Sequence, residues 1–299
     1  MLSFKRLFYR LFSKIYEILN RYFKVVSLLY WSEFYNKNSN YNFGDAFSPI
    51  VVDFISKKSV KTNLPDINDK YLSKLIFLNL KRFSTNKTGR LVGLGSILHL
   101  ANNRDVIWGT GIIPMRVKAN FPENLDVRAV RGPLTRGFLL ERKIKCPEVY
   151  GDPGIFCKNV YRDLLKENFK KRELGIITHW RDAGHEDFKN FETVDSRNFP
   201  IDIAKFIISS EFIISTSLHG IIFSESLGVP CRWLFSEEYM SGIYESSFKY
   251  EDYFQGTGRM EESSGSSINE CINLGSHGIF NIEAYKDNLM KSFPSDIIN

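Results

Sequence analysis

Apolar positions along the chain follow two different rhythms. Over residues 1–30 they recur every three or four places, at Phe4, Leu7, Phe8, Leu11, Phe12, Ile15, Ile18, Leu19, Tyr22 and Phe23, with most cations set between them. This is the helical period, and it predicts an amphipathic helix. From residue 90 onward the apolar residues gather in short blocks closed by glycine or a turn: RLVGLGSIL (90–98), DVIWGTGII (105–113), LDVRAVRG (125–132), ELGIITHW (173–180), EFIIST (211–216) and PCRWLF (230–235). Each predicts a short buried strand. Helical stretches alternate with them: NYNFGDAFSPIVVDFIS (40–56), PLTRGFLLERKI (133–144), IDIAKFIISS (201–210) and GIIFSESLG (220–228). Pro133 falls at a first helical position, where its missing N–H costs nothing.

The segments between are less regular. Residues 57–88 read as mixed helix and loop, EVYGDPGIF (148–156) as a strand and a tight turn, and 157–173 as a charged helix or linker. The Gly/Ser-rich GTGRMEESSGSS (256–267) predicts a mobile loop. Alternating strand and helix predicts an α/β protein with parallel sheets. The length of 299 residues suits two cores. The expected organisation is a basic helix over 1–30, an α/β domain over 31–157 and a second over 158–299, facing each other across a cleft.

Charge changes the picture only at the N-terminus. The formal net charge is +6, but Lys5, Arg6, Arg10, Lys14, Arg21 and Lys24 against Glu17 place most of it in the first 30 residues. That localisation argues against nucleic acid as a partner. Charges interrupt every stretch long enough to span a bilayer or form a signal-peptide core, so the helix suits an anionic membrane surface, a neighbouring part of its own domain or a second copy. Cys146, Cys157, Cys231 and Cys271 form no CxxC pair, predicting neither a zinc site nor a disulfide framework and fitting a reducing, cytoplasmic compartment.

Candidate chemistry collects where predicted strands end. In open parallel sheets ligands sit at the carboxyl ends of strands, against helix N-termini that favour anions. His219 lies at such an edge, with Gly220 beside it to permit close approach of a ligand. An imidazole there suits proton transfer near neutral pH, and equally suits a capping or buried hydrogen-bonded group. His179 ends another strand, with Arg181 beside it, so both histidines are expected at one cleft. Arg131, before Gly132 and Pro133, can bind an anion bidentately across the cleft or pair with Asp152 or Asp45. NFGD (42–45), GLGS (93–96) and GTG (109–111) do not complete a dinucleotide fingerprint. The chain lacks HExxH, a Walker loop and GxSxG, leaving metalloprotease, NTPase and hydrolase readings without support.

NFGD, VRGPLT (130–135), YGDPGIF (150–156), GIITHW (175–180) and STSLHGIIFSESLGVP (215–230) stand in the order found in polysaccharide pyruvyl transferases, and the chain resembles the bacterial exopolysaccharide branch of that family over roughly residues 40–235. The resemblance implies a GT-B-like fold of two Rossmann-like domains and transfer of the pyruvyl group of phosphoenolpyruvate to two hydroxyls of one sugar, forming a cyclic ketal and releasing phosphate. It implies no metal and no cofactor beyond that donor. It carries the family's LHG histidine onto His219 and its RGP arginine onto Arg131; ketal chemistry then makes His219 the expected acid or base, with His179 or Asp45 assisting the sugar hydroxyl, and Asn42, Gly44, Arg131, Arg181, Ser217 and Gly220 are expected at the substrates. Many members carry arginine where this chain has Ser217, and Arg131, Arg181 and Arg232 are the candidates to replace it. The expected partners are the sugar of a lipid-linked or polysaccharide repeat unit in a capsule, O-antigen or exopolysaccharide, and the inner face of the plasma membrane. A nucleotide-sugar glycosyltransferase or a non-catalytic assembly protein of the same fold are the alternatives.

Overall fold

The computed structural model describes residues 42–59, 89–235 and 247–297, together with the backbone of the short strand β1 (Leu28–Leu29). The basic helix expected over 1–30 and most of the 57–88 stretch lie outside the described residues. β1 pairs with β2 (Leu91–Val92), and β3 (Val106–Trp108) and β4 (Asp126–Ala129) complete a sheet ordered β1-β2-β3-β4, every pair parallel. A second parallel sheet is ordered β6-β5-β7-β8, from β5 (Arg172–Thr178), β6 (Thr193–Asp195), β7 (Ser210–Ser215) and β8 (Cys231–Trp233). The α/β class with parallel sheets follows as expected from the alternation of blocks. β2 and β3 are shorter than their apolar blocks, because the chain bends at glycines soon after them: Gly95 and Gly109 have φ of 102° and 88°. The expected strand at 148–156 reduces to one bridge, Val130 to Tyr150, before a 3-10 turn over Pro153–Phe156.

Eight helices are described. α1 (Phe43–Ser59), α2 (Pro133–Glu141), α3 (Cys157–Val160), α4 (Pro200–Ile208) and α5 (Leu218–Leu227) follow the strands, and α6 (Phe248–Gly256), α7 (Ile268–Leu274) and α8 (Ile282–Lys291) end the chain. α5 is buried nearly all round, with Ile221, Ile222 and Phe223 fully covered, which is why its sequence shows no polar stripe. The largest apolar cluster joins the two halves, since Phe43 and Phe47 of α1 pack edge-on against Phe223 of α5. Each such side chain contributes roughly 1.5–3 kcal/mol by leaving water.

α6 ties the same halves together by polar contacts. Tyr250 stacks on Trp233 at 4.1 Å and donates to the Thr216 carbonyl, while Asp252 accepts from Arg131 and Thr135. The Gly/Ser segment 256–267 is not the loose loop its composition predicts. Gly265 exchanges backbone hydrogen bonds with Trp233 and Phe235, Arg232 binds the Ser263 carbonyl, and Ser267 caps α7. At Gly265 the chain passes so close against Cys271 that a side chain has no room.

Candidate active site

A pocket of about 180 Å³ opens where the carboxyl ends of β5 and β7 meet the start of α1. Asn42, Asp45, His179, Arg181, Ser217 and His219, far apart in sequence, all line it. Asn42 begins α1, its Oδ1 accepting from the Gly44 N–H and its carbonyl from the Ala46 N–H, an N-cap that leaves Asp45 in the first turn. Phe43 N–H donates to the Ser196 carbonyl, which fixes α1 against the loop after β6. Gly95, at φ 102°, stands beside the Asp45 carboxylate with no room for a side chain.

The second half supplies the histidines. β5 ends at Thr178, and His179 follows, buried, with its N–H on Thr216 Oγ1 and its Nδ1 accepting from the Arg181 N–H at 3.4 Å. β7 ends at Ser215, whose hydroxyl accepts from the Ser217 N–H and bonds back to the Ile177 and Ser217 carbonyls, turning the chain sharply into α5. Ser217 is the N-cap residue but makes no side-chain cap bond, and His219 sits in the first turn. Its Nε2 is buried 3.7 Å from Asp152 Oδ2, and its ring lies over Gly44 and edge-on to Phe43.

Three expectations are corrected. Arg131 is fully buried and does not line the pocket; it pairs with Asp252, not with Asp152 or Asp45, and its Nη1 bonds to Ser96, a pocket residue, at 2.6 Å. Gly111 leaves the space this guanidinium fills. Arg232 serves the C-terminal segment, bonding the carbonyls of Ser263, Leu274, Gly275 and Ser276 beside Glu262. Gly220 makes its close approach to Ser215 Oγ inside the fold and is not among the pocket residues.

Sequence reading missed Ser96, Ile97, His99, Ile113, Arg116, Trp180 and Lys249 as pocket residues. Arg116 ends a 3-10 turn after β3 and Lys249 rides on α6, placements set by tertiary packing with no local motif. Burial, aided by Arg116 and then Lys118, pushes the His99 pKa down to about 4, so its imidazole is neutral near pH 7. Arg181, over the Trp180 ring at 4.9 Å, completes a set of three cations around the pocket with Arg116 and Lys249. Among the described residues no group of three or more His, Cys, Asp or Glu side chains gathers as a metal cage requires.

One pocket of a parallel α/β fold thus brings together two histidines that follow strand ends, a carboxylate from the first turn of α1 and three cations. The family model for polysaccharide pyruvyl transferases matches residues 42–234, from the cap of α1 to the end of β8. The chain belongs to that family. It is 35% identical over 153 residues to Uncharacterized protein L143 of Acanthamoeba polyphaga mimivirus, covering 47% of this chain and 51% of that protein. It is 25% identical over 246 residues to Succinoglycan biosynthesis protein ExoV of Rhizobium meliloti (strain 1021), covering 75% of this chain and 64% of that one. The matches thus span about half to two thirds of these relatives' lengths. A crystal structure of KP1_0663, described as a functional uncharacterized protein from Klebsiella pneumoniae subsp. pneumoniae NTUH-K2044, aligns with a TM-score of 0.45 at 12% identity, covering 81% of this chain and 92% of that one.

Proposed function

We propose that the protein transfers the pyruvyl group of phosphoenolpyruvate to two hydroxyls of one sugar in a cell-surface glycan, forming a ketal and releasing phosphate. The observation that carries this reading is the meeting of His219, His179 and Asp45 with Arg116, Arg181 and Lys249 in one pocket of a family member. The cations and the N-terminus of α5 suit the donor's phosphate and carboxylate, and they supply the positive charge that Ser217 lacks. A proton from His219 to the methylene carbon makes it a methyl group and leaves C2 electrophilic. One sugar hydroxyl adds at C2 and loses its proton to His179 or Asp45. Phosphate departs with the electrons of the C2–O bond, and the second hydroxyl adds and loses its proton in turn. Of the two hydroxyl protons, one replaces that spent on the methyl group and the other leaves with phosphate or solvent.

The two parallel sheets support a GT-B-like layout with the pocket between them. The relative named for succinoglycan biosynthesis supports an exopolysaccharide acceptor, free or on a lipid carrier. Residues 1–30 then hold the enzyme to the anionic inner face of the plasma membrane, and their removal shifts it from membrane to supernatant; unchanged partitioning contradicts this part. Among the described residues no helix is long and apolar enough to cross a membrane. The transfer itself is tested by phosphate release from phosphoenolpyruvate with lipid-linked and free glycan fragments. The expected product carries a pyruvate ketal whose methyl group gains one deuterium in D2O, and a methyl group without solvent hydrogen contradicts the mechanism.

A further inference from the structure

Asp152 is fully buried on the turn that leads from the Tyr150 bridge into the 3-10 turn Pro153–Phe156. Its Oδ1 accepts from the Gly154 N–H at 2.9 Å, its own N–H donates to Tyr285 Oη of α8, and its carbonyl accepts from Ile155. Oδ2 has no hydrogen bond, and neither has His219 Nε2; the two buried atoms are 3.7 Å apart. An ionised carboxylate is costly to bury unless a partner meets its charge. The turn is also held rigidly, because Ser226 of α5 donates to the Ile155 carbonyl at 2.6 Å and Gly154 packs against Ile222 and Phe223. The turn that carries Asp152 is therefore fixed to the helix that carries His219.

We propose that Asp152 is the positioning residue of this site: it keeps the His219 proton on Nε2 and thereby presents Nδ1, on the Gly44 side of the ring, as the nitrogen that exchanges protons with substrate. A carboxylate accepts and cannot donate, so it selects the tautomer with hydrogen on Nε2. When Nδ1 takes a proton, Nε2 keeps its own, and the imidazolium charge is balanced by Asp152. When Nδ1 gives that proton up, the neutral Nε2–H form returns. Tyr285 accepts from the Asp152 backbone N–H, so α8 supports the turn that carries the carboxylate. This deepens the pyruvyl-transfer reading, yet the tautomer does not depend on which donor or acceptor is used.

The test is 15N NMR of the imidazoles in the full chain with labelled histidine, His219 being assigned by its loss in His219→Gln. In the wild-type protein the neutral ring is expected as the Nε2–H form. Asp152→Asn turns an amide N–H toward Nε2 and is expected to invert the tautomer to Nδ1–H, lowering kcat by about 10²–10⁴-fold with little change in KM, the behaviour of an orienting carboxylate replaced by its amide. Tyr285→Phe loosens the turn but keeps the carboxylate, and its tautomer stays Nε2–H. An Nδ1–H ring in the wild type, or one tautomer shared by wild type and Asp152→Asn, overturns the proposal. If Asp152→Asn does not fold, the wild-type tautomer decides alone. A wrong assignment of the donor leaves the NMR result intact and appears only as absent turnover.

Discussion

Gly44 lies against the imidazole of His219 so closely that a β-carbon at position 44 would stand 1.9 Å from its Nδ1 and 2.1 Å from its Cγ. One residue of α1 thus sets where the histidine of α5 can stand, across the boundary between the two halves of the chain. Gly44→Ala is expected to push the ring away from the pocket and lower kcat by about 100-fold, the cost of misplacing a reacting group by roughly 1 Å. Gly137, in α2 with open space where a β-carbon would stand, provides the control: Gly137→Ala is expected to stabilise the fold by about 0.5–1 kcal/mol and leave kcat unchanged. Steady-state kinetics and thermal melts of both variants separate the two effects.

The family motif around Arg131 has a structural explanation. Its buried pair with Asp252 joins the turn before α2 to α6, and Thr135 completes the network with Oγ1 at 2.6 Å from Asp252. Arg131→Met leaves a buried carboxylate without its cation and is expected to cost about 3–5 kcal/mol in denaturant unfolding. A protein of unchanged stability that simply lost donor affinity would return Arg131 to the binding site.

Arg116 and Arg181 lie on half-buried pocket walls and carry the opposite expectation. Arg181→Ala or Arg116→Ala removes charge-assisted hydrogen bonds to an anionic donor, each worth about 1.5–3 kcal/mol, so KM for the donor should rise roughly 10- to 100-fold. Unfolding midpoints should move less than in Arg131→Met, since both side chains are half-buried whereas Arg131 is fully enclosed. A donor KM unchanged in both variants would remove these cations from the site.

Much of this arrangement was legible in the sequence. β5, β7 and α5 stand out because α5 and the carboxyl-terminal halves of both strands are buried, giving apolar runs such as FII and GIIF. The turn from β7 into α5 marked His219, and the block ending at Thr178 marked His179. β6 escaped notice because its three residues, Thr193–Asp195, sit on a sheet edge among polar neighbours. The partner of Arg131 was missed because Asp252 lies 121 residues away and only packing brings it near. Arg116 and Lys249 escaped for the same reason: a single cation in a turn or on a helix carries no pattern.

Acid stability offers a prediction outside the pocket. Burial works against ionisation of Glu262, but the His277 Nδ1–H and the Gly278 N–H outweigh it and hold its pKa down to about 2. The Trp233 N–H occupies His277 Nε2, which fixes the donor on Nδ1. The unfolded chain takes up the proton first, so the stability Glu262 adds is complete above about pH 4.5 and disappears as the pH falls to about 2. Glu262→Gln should be less stable at neutral pH and should lose less on acidification across that window. Parallel acid-limb slopes in the two proteins would contradict this account of the C-terminal segment.

Donor identity is the central claim, and ligand-induced thermal stabilisation reads it directly in the absence of any acceptor. A ligand that binds only the folded chain stabilises it by about 2.7 kcal/mol at a hundredfold excess over its Kd. Phosphoenolpyruvate should raise the melting temperature saturably, Arg181→Ala should lose most of that rise, and UDP- and GDP-sugars should have no effect. Stabilisation by a nucleotide sugar with none by phosphoenolpyruvate would contradict pyruvyl transfer and make this pocket the donor site of a glycosyltransferase.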